Sequence, residues 1–159
     1  MRVDTCRFGE LDINPETVIS LDEGLLGFGD SRRYCLLEHH PESPFQWLQS
    51  LEEAATAFVV IDPLTFFPDY QVEIDEAEAE ALGLSSPDDA AVLNIVTIAE
   101  NYPDTTVNLI APVVVNTRTR KAKQVILSNE AYTTRHRLMD AAQAKARQDA
   151  ERSPAQGGE

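Results

Sequence analysis

The sequence has no lysine or arginine between Arg33 and Arg118, an interval that covers more than half of its 159 residues. Fifteen acidic residues lie in the same interval, and the net charge of the chain is −14. Such a field repels phosphate backbones and attracts basic proteins. We therefore expect no direct binding of nucleic acid, and if the chain has a protein partner, a basic one. On charge alone, an acidic surface that only keeps the protein soluble is the preferred interpretation.

Cysteine is scarce, with only Cys6 and Cys35 in the chain. So few thiols are more typical of free cysteines in a reducing compartment than of a disulfide framework. Apolar runs are also short, and none approaches the roughly 20 residues that a membrane-spanning helix needs. The N-terminal residues lack the apolar core of a signal peptide. We therefore expect a cytoplasmic protein without membrane association.

Motifs for catalysis or metal binding are absent from the sequence. No serine sits in a nucleophile elbow, and no histidine pair has the helical spacing of metal ligands. His39 and His40 are adjacent, so on a strand they point to opposite faces and cannot easily share one ion. An enzyme that uses Asp62, Asp69 and His136 is the remaining catalytic alternative. We predict that the chain is not an enzyme and needs no cofactor or metal.

Short apolar or alternating runs recur along the chain, separated by turn residues. This pattern predicts a mainly all-β fold, a small antiparallel barrel-like domain with one or two short helices. The predicted strands cover residues 2–8, 11–13, 17–21, 34–38, 45–51, 57–61, 70–74, 91–98, 106–115 and 120–127.

Several single residues predict local features of this barrel. Asp75 is expected to cap the N-terminus of a short helix that Gly83 closes in the left-handed conformation. Pro112 cannot donate to a ladder, so it marks an edge, a bulge or a bend in its strand. Asn94 and Asn108 lie in apolar runs and must either be hydrogen-bonded or face outward.

The end of the chain has a different composition. Residues 138–152 are rich in good helix formers, but their only strong apolar anchors are Leu138 and Met139. We therefore divide the chain into a barrel domain at residues 1–138 and a tail at residues 139–159. The tail is expected to be partly helical and then disordered.

Residues 62–70 form a loop that is too aromatic for a solvated connection. Its side chains either fold back and plug the barrel, or form an exposed apolar patch that binds a partner. The loop lies in the interval without lysine or arginine, where a basic partner would be drawn. The candidate partner-binding residues are Asp62, Phe66, Phe67, Pro68, Asp69 and Tyr70.

Five segments of the sequence carry a family resemblance: Phe-Gln-Trp-Leu-Gln-Ser at 45–50, Ala-Phe-Val-Val-Ile-Asp-Pro at 57–63, Phe-Phe-Pro-Asp-Tyr at 66–70, Val-Asn-Leu-Ile-Ala-Pro at 107–112 and Tyr-Thr-Thr-Arg-His at 132–136. In order and spacing they closely resemble the flagellar assembly factor FliW family. Gly9-Glu10 and the turn at residues 24–28 are similar to the same family, so the resemblance covers about residues 2–138.

The resemblance implies a cytoplasmic, non-enzymatic regulator with a small β-barrel-like fold. Members of this family bind the translational regulator CsrA and relieve its repression of flagellin mRNA. They also bind flagellin, which competes for them, so that free flagellin controls its own translation through a partner switch. The alternative is a flagellin-specific chaperone without control of CsrA. We expect the free protein to be a monomer.

Overall fold

The computed structural model describes residues 1–38 and 41–138. His39, His40 and the predicted tail at residues 139–159 lie outside the described residues. No helix in the described part of the chain has the length and apolar character needed to cross a bilayer. The regular elements are β1 (Arg2–Thr5), β2 (Gly9–Asp12), β3 (Ile19–Leu21), β4 (Arg33–Glu38), β5 (Phe45–Ser50), β6 (Ala57–Ile61), α1 (Glu76–Ala81), β7 (Ala90–Thr97), β8 (Thr106–Val107), β9 (Val113–Asn116), β10 (Lys121–Gln124) and β11 (His136–Arg137).

Seven of these strands close into a barrel. They follow one another in the order β7, β6, β5, β4, β3, β10 and β9, and β9 pairs again with β7. All neighbours are antiparallel except β3 and β10, which run parallel. β8 and β11 extend the sheet beyond β7 outside the ring. The predicted all-β barrel with a short helix is therefore confirmed.

Alternation along the strands gives the barrel wall two apolar faces. In β9, for example, Val113 and Val115 belong to one cluster of buried residues and Val114 to another. We call the first cluster the barrel interior and the second the outer cluster. The barrel interior contains Ile19, Leu21, Leu25, Tyr34, Leu48, Val60, Leu93, Val113, Val115 and Ala122. The outer cluster contains Ile61, Tyr70, Leu82, Val96, Val107, Leu109, Val114, Val125, Leu127 and Leu138.

The hairpin of β1 and β2 covers a third apolar surface on the outside of β4. Its Val3 packs with Ile13 and Cys35, while Tyr34, the preceding residue of β4, faces the barrel interior. Cys35 is a free, buried cysteine, and burial raises the pKa of its thiol. A protonated, buried thiol of this kind is a packing residue.

The outer cluster is covered by the part of the chain that connects β6 to β7, residues 62–89, which we call the outer layer. It holds short 3₁₀ turns at Pro63–Thr65 and Pro87–Asp89, with α1 between them. The predicted caps of α1 are confirmed: the Asp75 carboxylate accepts the N–H of Glu78 at 2.8 Å, and Gly83 follows with a φ of 68°. Apart from these turns and α1, residues 62–89 hold no regular element, and none of them forms a strand of the sheet.

The predicted strand at residues 70–74 is wrong. The segment has no ladder partner, because the apolar half of its alternation, Val72 and Ile74, packs onto the outer cluster instead of lying within a sheet. The predicted strand at residues 106–115 is broken in two, and Pro112 lies in the break, as expected for a bend. The first strand ends at Thr5, whose hydroxyl accepts the N–H of Phe8 and closes a turn.

Candidate partner-binding surface

The aromatic loop begins directly where β6 ends. The Asp62 carboxylate accepts the N–H of Leu64 at 3.0 Å and so caps the 3₁₀ turn that starts at Pro63. The N–H groups of Phe66 and Phe67 both donate to the Pro63 carbonyl, at 3.1 and 2.8 Å. These bonds satisfy the backbone locally, so the loop is a compact turn of defined shape.

Tyr70 anchors the far end of the loop. It is only 7% exposed, and its hydroxyl donates to the Leu109 carbonyl at 2.6 Å while accepting from the Asn94 side-chain amide at 3.2 Å. Burial raises the pKa of Tyr70 to about 12, so the hydroxyl remains a proton donor at neutral pH. The same amide of Asn94 donates to the Asn108 carbonyl at 2.8 Å, which confirms that Asn94 is hydrogen-bonded.

Phe66 and Phe67 lie half-buried against the outer cluster, outside the barrel wall. The Phe66 ring lies 6.4 Å from that of Phe45, and the Phe67 ring meets His136 edge-on at 6.1 Å. Both aromatic rings therefore fold back onto the molecule without entering the barrel interior. Each ring keeps part of its surface exposed to solvent, where a partner could reach it. Contact of these rings with a partner stays a prediction.

The exposed residues of the loop are Asp62, Leu64, Thr65, Pro68 and Asp69. Leu64 is 55% exposed and stands between the two carboxylates in sequence. Sequence reasoning missed Leu64, since a single leucine in a turn gives no periodic signal that distinguishes an exposed from a buried side chain. We call Asp62, Leu64, Pro68 and Asp69 the Leu64 surface, which combines exposed apolar side chains with two carboxylates that flank them in sequence.

His136 contacts the ring of Phe67 in the aromatic loop. Its imidazole also makes a hydrogen bond to the backbone of its own segment. Its Nε2 accepts the backbone N–H of Thr133 at 2.8 Å, which requires an unprotonated nitrogen, and burial lowers the pKa of the imidazole. The Asp62 carboxylate caps its own turn. Two of the three groups considered for catalysis are thus engaged in local backbone bonds.

Comparison with known proteins places the chain in a family. The family model described as FliW protein matches residues 2–138. The "Flagellar assembly factor FliW" of Alkaliphilus metalliredigens is 40% identical over 159 residues, which cover 99% of this chain and 98% of the relative. The protein of the same name from Natranaerobius thermophilus is 40% identical over 148 residues, covering 92% of this chain and 98% of that protein.

A solved structure gives the same result for the fold. The crystal structure of the flagellar assembly factor FliW superimposes with a TM-score of 0.80 at 37% sequence identity, and the match covers 87% of this chain and 96% of that one. The two chains therefore share both their fold and much of their sequence over most of their length. The chain therefore belongs to the FliW family of flagellar assembly factors.

Proposed function

We propose that this flagellar assembly factor is a cytoplasmic, non-enzymatic regulator that works by partner switching. It binds a CsrA-type translational regulator and relieves the repression of flagellin mRNA, and it binds flagellin, which competes for it. The observation that carries the proposal is the Leu64 surface, where Leu64 is 55% exposed and lies between Asp62 and Asp69 in a stretch of sequence without lysine or arginine.

Charge supports an RNA-binding regulator as one partner. A protein that binds RNA presents a basic surface to phosphate. The same surface is attracted to a molecule of net charge −14, because complementary fields accelerate encounter. Bound there, the acidic chain opposes the approach of RNA.

The second candidate function is a flagellin-specific chaperone that uses the Leu64 surface together with Phe66 and Phe67 of the same loop. These half-buried rings favour it, since an apolar segment of an unassembled subunit needs apolar contacts more than charge. The two functions differ in salt dependence. Binding of a basic regulator weakens as salt rises, whereas apolar binding of flagellin changes little.

A pull-down from the native cytoplasm with the tagged full chain tests the proposal. Recovery of both the CsrA-type regulator and flagellin supports the regulator, and recovery of flagellin alone supports the chaperone. Recovery of neither overturns both. The exposed double variant Leu64→Ala with Asp69→Asn is expected to lose the regulator, while Ile98→Ala, which alters an aliphatic residue that is 49% exposed elsewhere, keeps it.

A further inference from the structure

A second apolar surface borders the outer layer. Its residues follow the Leu64 surface in sequence, beginning at Val72. It is a pocket of about 520 Å³ between the extended segment at residues 72–74, the end of α1 and the barrel wall. We call it the outer pocket. Its apolar lining includes Val72, Ile74, Ala79, Leu84, Val92 and Val114.

The floor of the outer pocket is set by the register of two barrel strands. Val92 of β7 pairs with Val114 of β9, so their side chains emerge together on the outer face. Their neighbours Leu93 and Val113 pair in the same way and face the barrel interior. The outer layer borders the Val92 and Val114 pair without filling the space above it, and Val92 stays only half-buried.

One wall of the outer pocket is a backbone segment without a strand partner. Its alternating burial, with Val72 and Ile74 half-buried and Gln71 and Glu73 exposed, is typical of an extended chain. The N–H of Gln71 donates to the Tyr132 hydroxyl at 3.0 Å. Within the described chain, the backbone groups of Val72, Glu73 and Ile74 form no hydrogen bond to another backbone group. An extended segment with free N–H and C=O groups beside apolar pockets is the arrangement to which a peptide adds as a further strand.

The outer pocket carries negative charge in its wall and on the helix beside it. Glu73 lies in the wall, and the exposed Glu76 and Glu80 belong to α1, the helix that contributes Ala79 to the lining. We call these three residues the carboxylate rim. These three carboxylates form no salt bridge with any residue that the structure describes, whereas Glu78 pairs with Lys123 at 3.4 Å. A segment that fits this pocket therefore combines aliphatic side chains with lysine or arginine.

We propose that the outer pocket binds an extended segment of a partner protein. The segment adds as a strand along residues 72–74, places an aliphatic side chain above Val92 and Val114, and directs basic side chains to the carboxylate rim. This site is distinct from the Leu64 surface. It stands independently of the regulator and chaperone functions, because it rests on the pocket, the unpaired backbone and the charge.

Synthetic hexapeptides test the proposal without any natural partner. The probe is fluorescein-labelled Lys-Leu-Lys-Val-Lys-Leu, titrated with the full chain and followed by fluorescence anisotropy. We expect binding that weakens about tenfold or more when the three lysines become glutamates. We expect a similar loss when the central lysine becomes proline, since proline removes a strand hydrogen bond. Absence of lysine-peptide binding, or equal binding of the proline peptide, overturns the proposal.

Two substitutions on one helix locate the binding. Ala79→Leu fills the pocket and is expected to weaken peptide binding about tenfold, whereas Ala81→Leu on the same helix, which is exposed and outside the lining, leaves it unchanged. Urea unfolding of both variants shows that they are folded. If Ala79→Leu lowers stability, the surface variant Glu73→Gln with Glu76→Gln and Glu80→Gln replaces it, with the same expected loss.

Outcomes that favour another occupant are also distinct. Equal peptide binding by Ala79→Leu and wild type places the peptide elsewhere and overturns the site. If the wild type is a dimer by light scattering and Ala79→Leu is a monomer, a second copy of the chain fills the pocket, and the peptide-segment proposal is wrong.

Discussion

The barrel interior and the outer layer pack against opposite faces of the same strands, but they are held together differently. The barrel interior is fully buried, with Leu48 and Val60 at 0% exposure, and ladders join all of its strands. The outer layer has no strand and depends on side-chain hydrogen bonds such as that of Tyr70, with a pocket and half-buried aromatics beside it. The difference indicates that stability resides mainly in the barrel interior, and we propose that recognition resides in the outer layer.

The largest expected effect comes from a cavity in the barrel interior. Leu48→Ala is expected to lower the free energy of unfolding by about 2–5 kcal/mol, since the side chain is fully buried and the site cannot collapse freely. Urea unfolding measures the change. The matched control Leu64→Ala, in the outer layer and 55% exposed, should cost less than about 0.5 kcal/mol. Similar losses for both variants would show that the barrel interior does not carry more of the stability than the outer layer.

A smaller effect is expected from the hydroxyl groups that hold the outer layer. Tyr70→Phe leaves the Leu109 carbonyl and the buried Asn94 amide without this partner and should cost about 1–3 kcal/mol. Tyr132→Phe removes only an acceptor for the exposed N–H of Gln71, so it should cost about 1 kcal/mol or less. Thermal melting of the two variants ranks them, and the opposite rank would show that Tyr70 is not the anchor.

The two regions also differ in how well the sequence predicts them. In the barrel, segments with alternating or continuous apolar residues form hydrogen-bonded strands. β6 (Ala57–Ile61), for example, has the same bounds as its apolar run in the sequence. The same alternation at residues 70–74 produced a false strand. Period-two burial shows that one side of a segment is covered, and it says nothing of a hydrogen-bonded neighbour.

The candidate site is predictable only where local sequence determines it. Aromatic composition drew attention to the loop at residues 62–70, and the cap formed by Asp62 follows from local turn chemistry. Which side chains point outward depends on contacts distant in sequence, such as Tyr70 with Leu109 and Phe67 with His136. The exposure of Leu64 and the presence of the outer pocket both result from that packing, so no local sequence pattern predicts them.

The smallest expected effect is a pH dependence at β11, where the ring of His136 meets Phe67 of the outer layer. Burial lowers the pKa of His136 from 6.5, so the native state binds fewer protons than the unfolded state. Stability is therefore fully present above pH 6.5 and is lost as pH falls through the lowered pKa. Urea unfolding at about pH 7.5 and about pH 5.5 should show a larger loss for wild type than for His136→Asn. A difference of the opposite sign would contradict a neutral, half-buried imidazole.

We propose that the Leu64 surface recognises the regulator, whereas the barrel interior only supports that surface. Calorimetric titration of the CsrA-type regulator into two folded variants measures this directly. We expect Leu64→Ala with Asp69→Asn to raise Kd about tenfold at an unchanged unfolding midpoint. Val60→Ala, although less stable, should keep the wild-type Kd. Wild-type affinity in the surface variant, with weakened binding in Val60→Ala, would contradict recognition at the Leu64 surface.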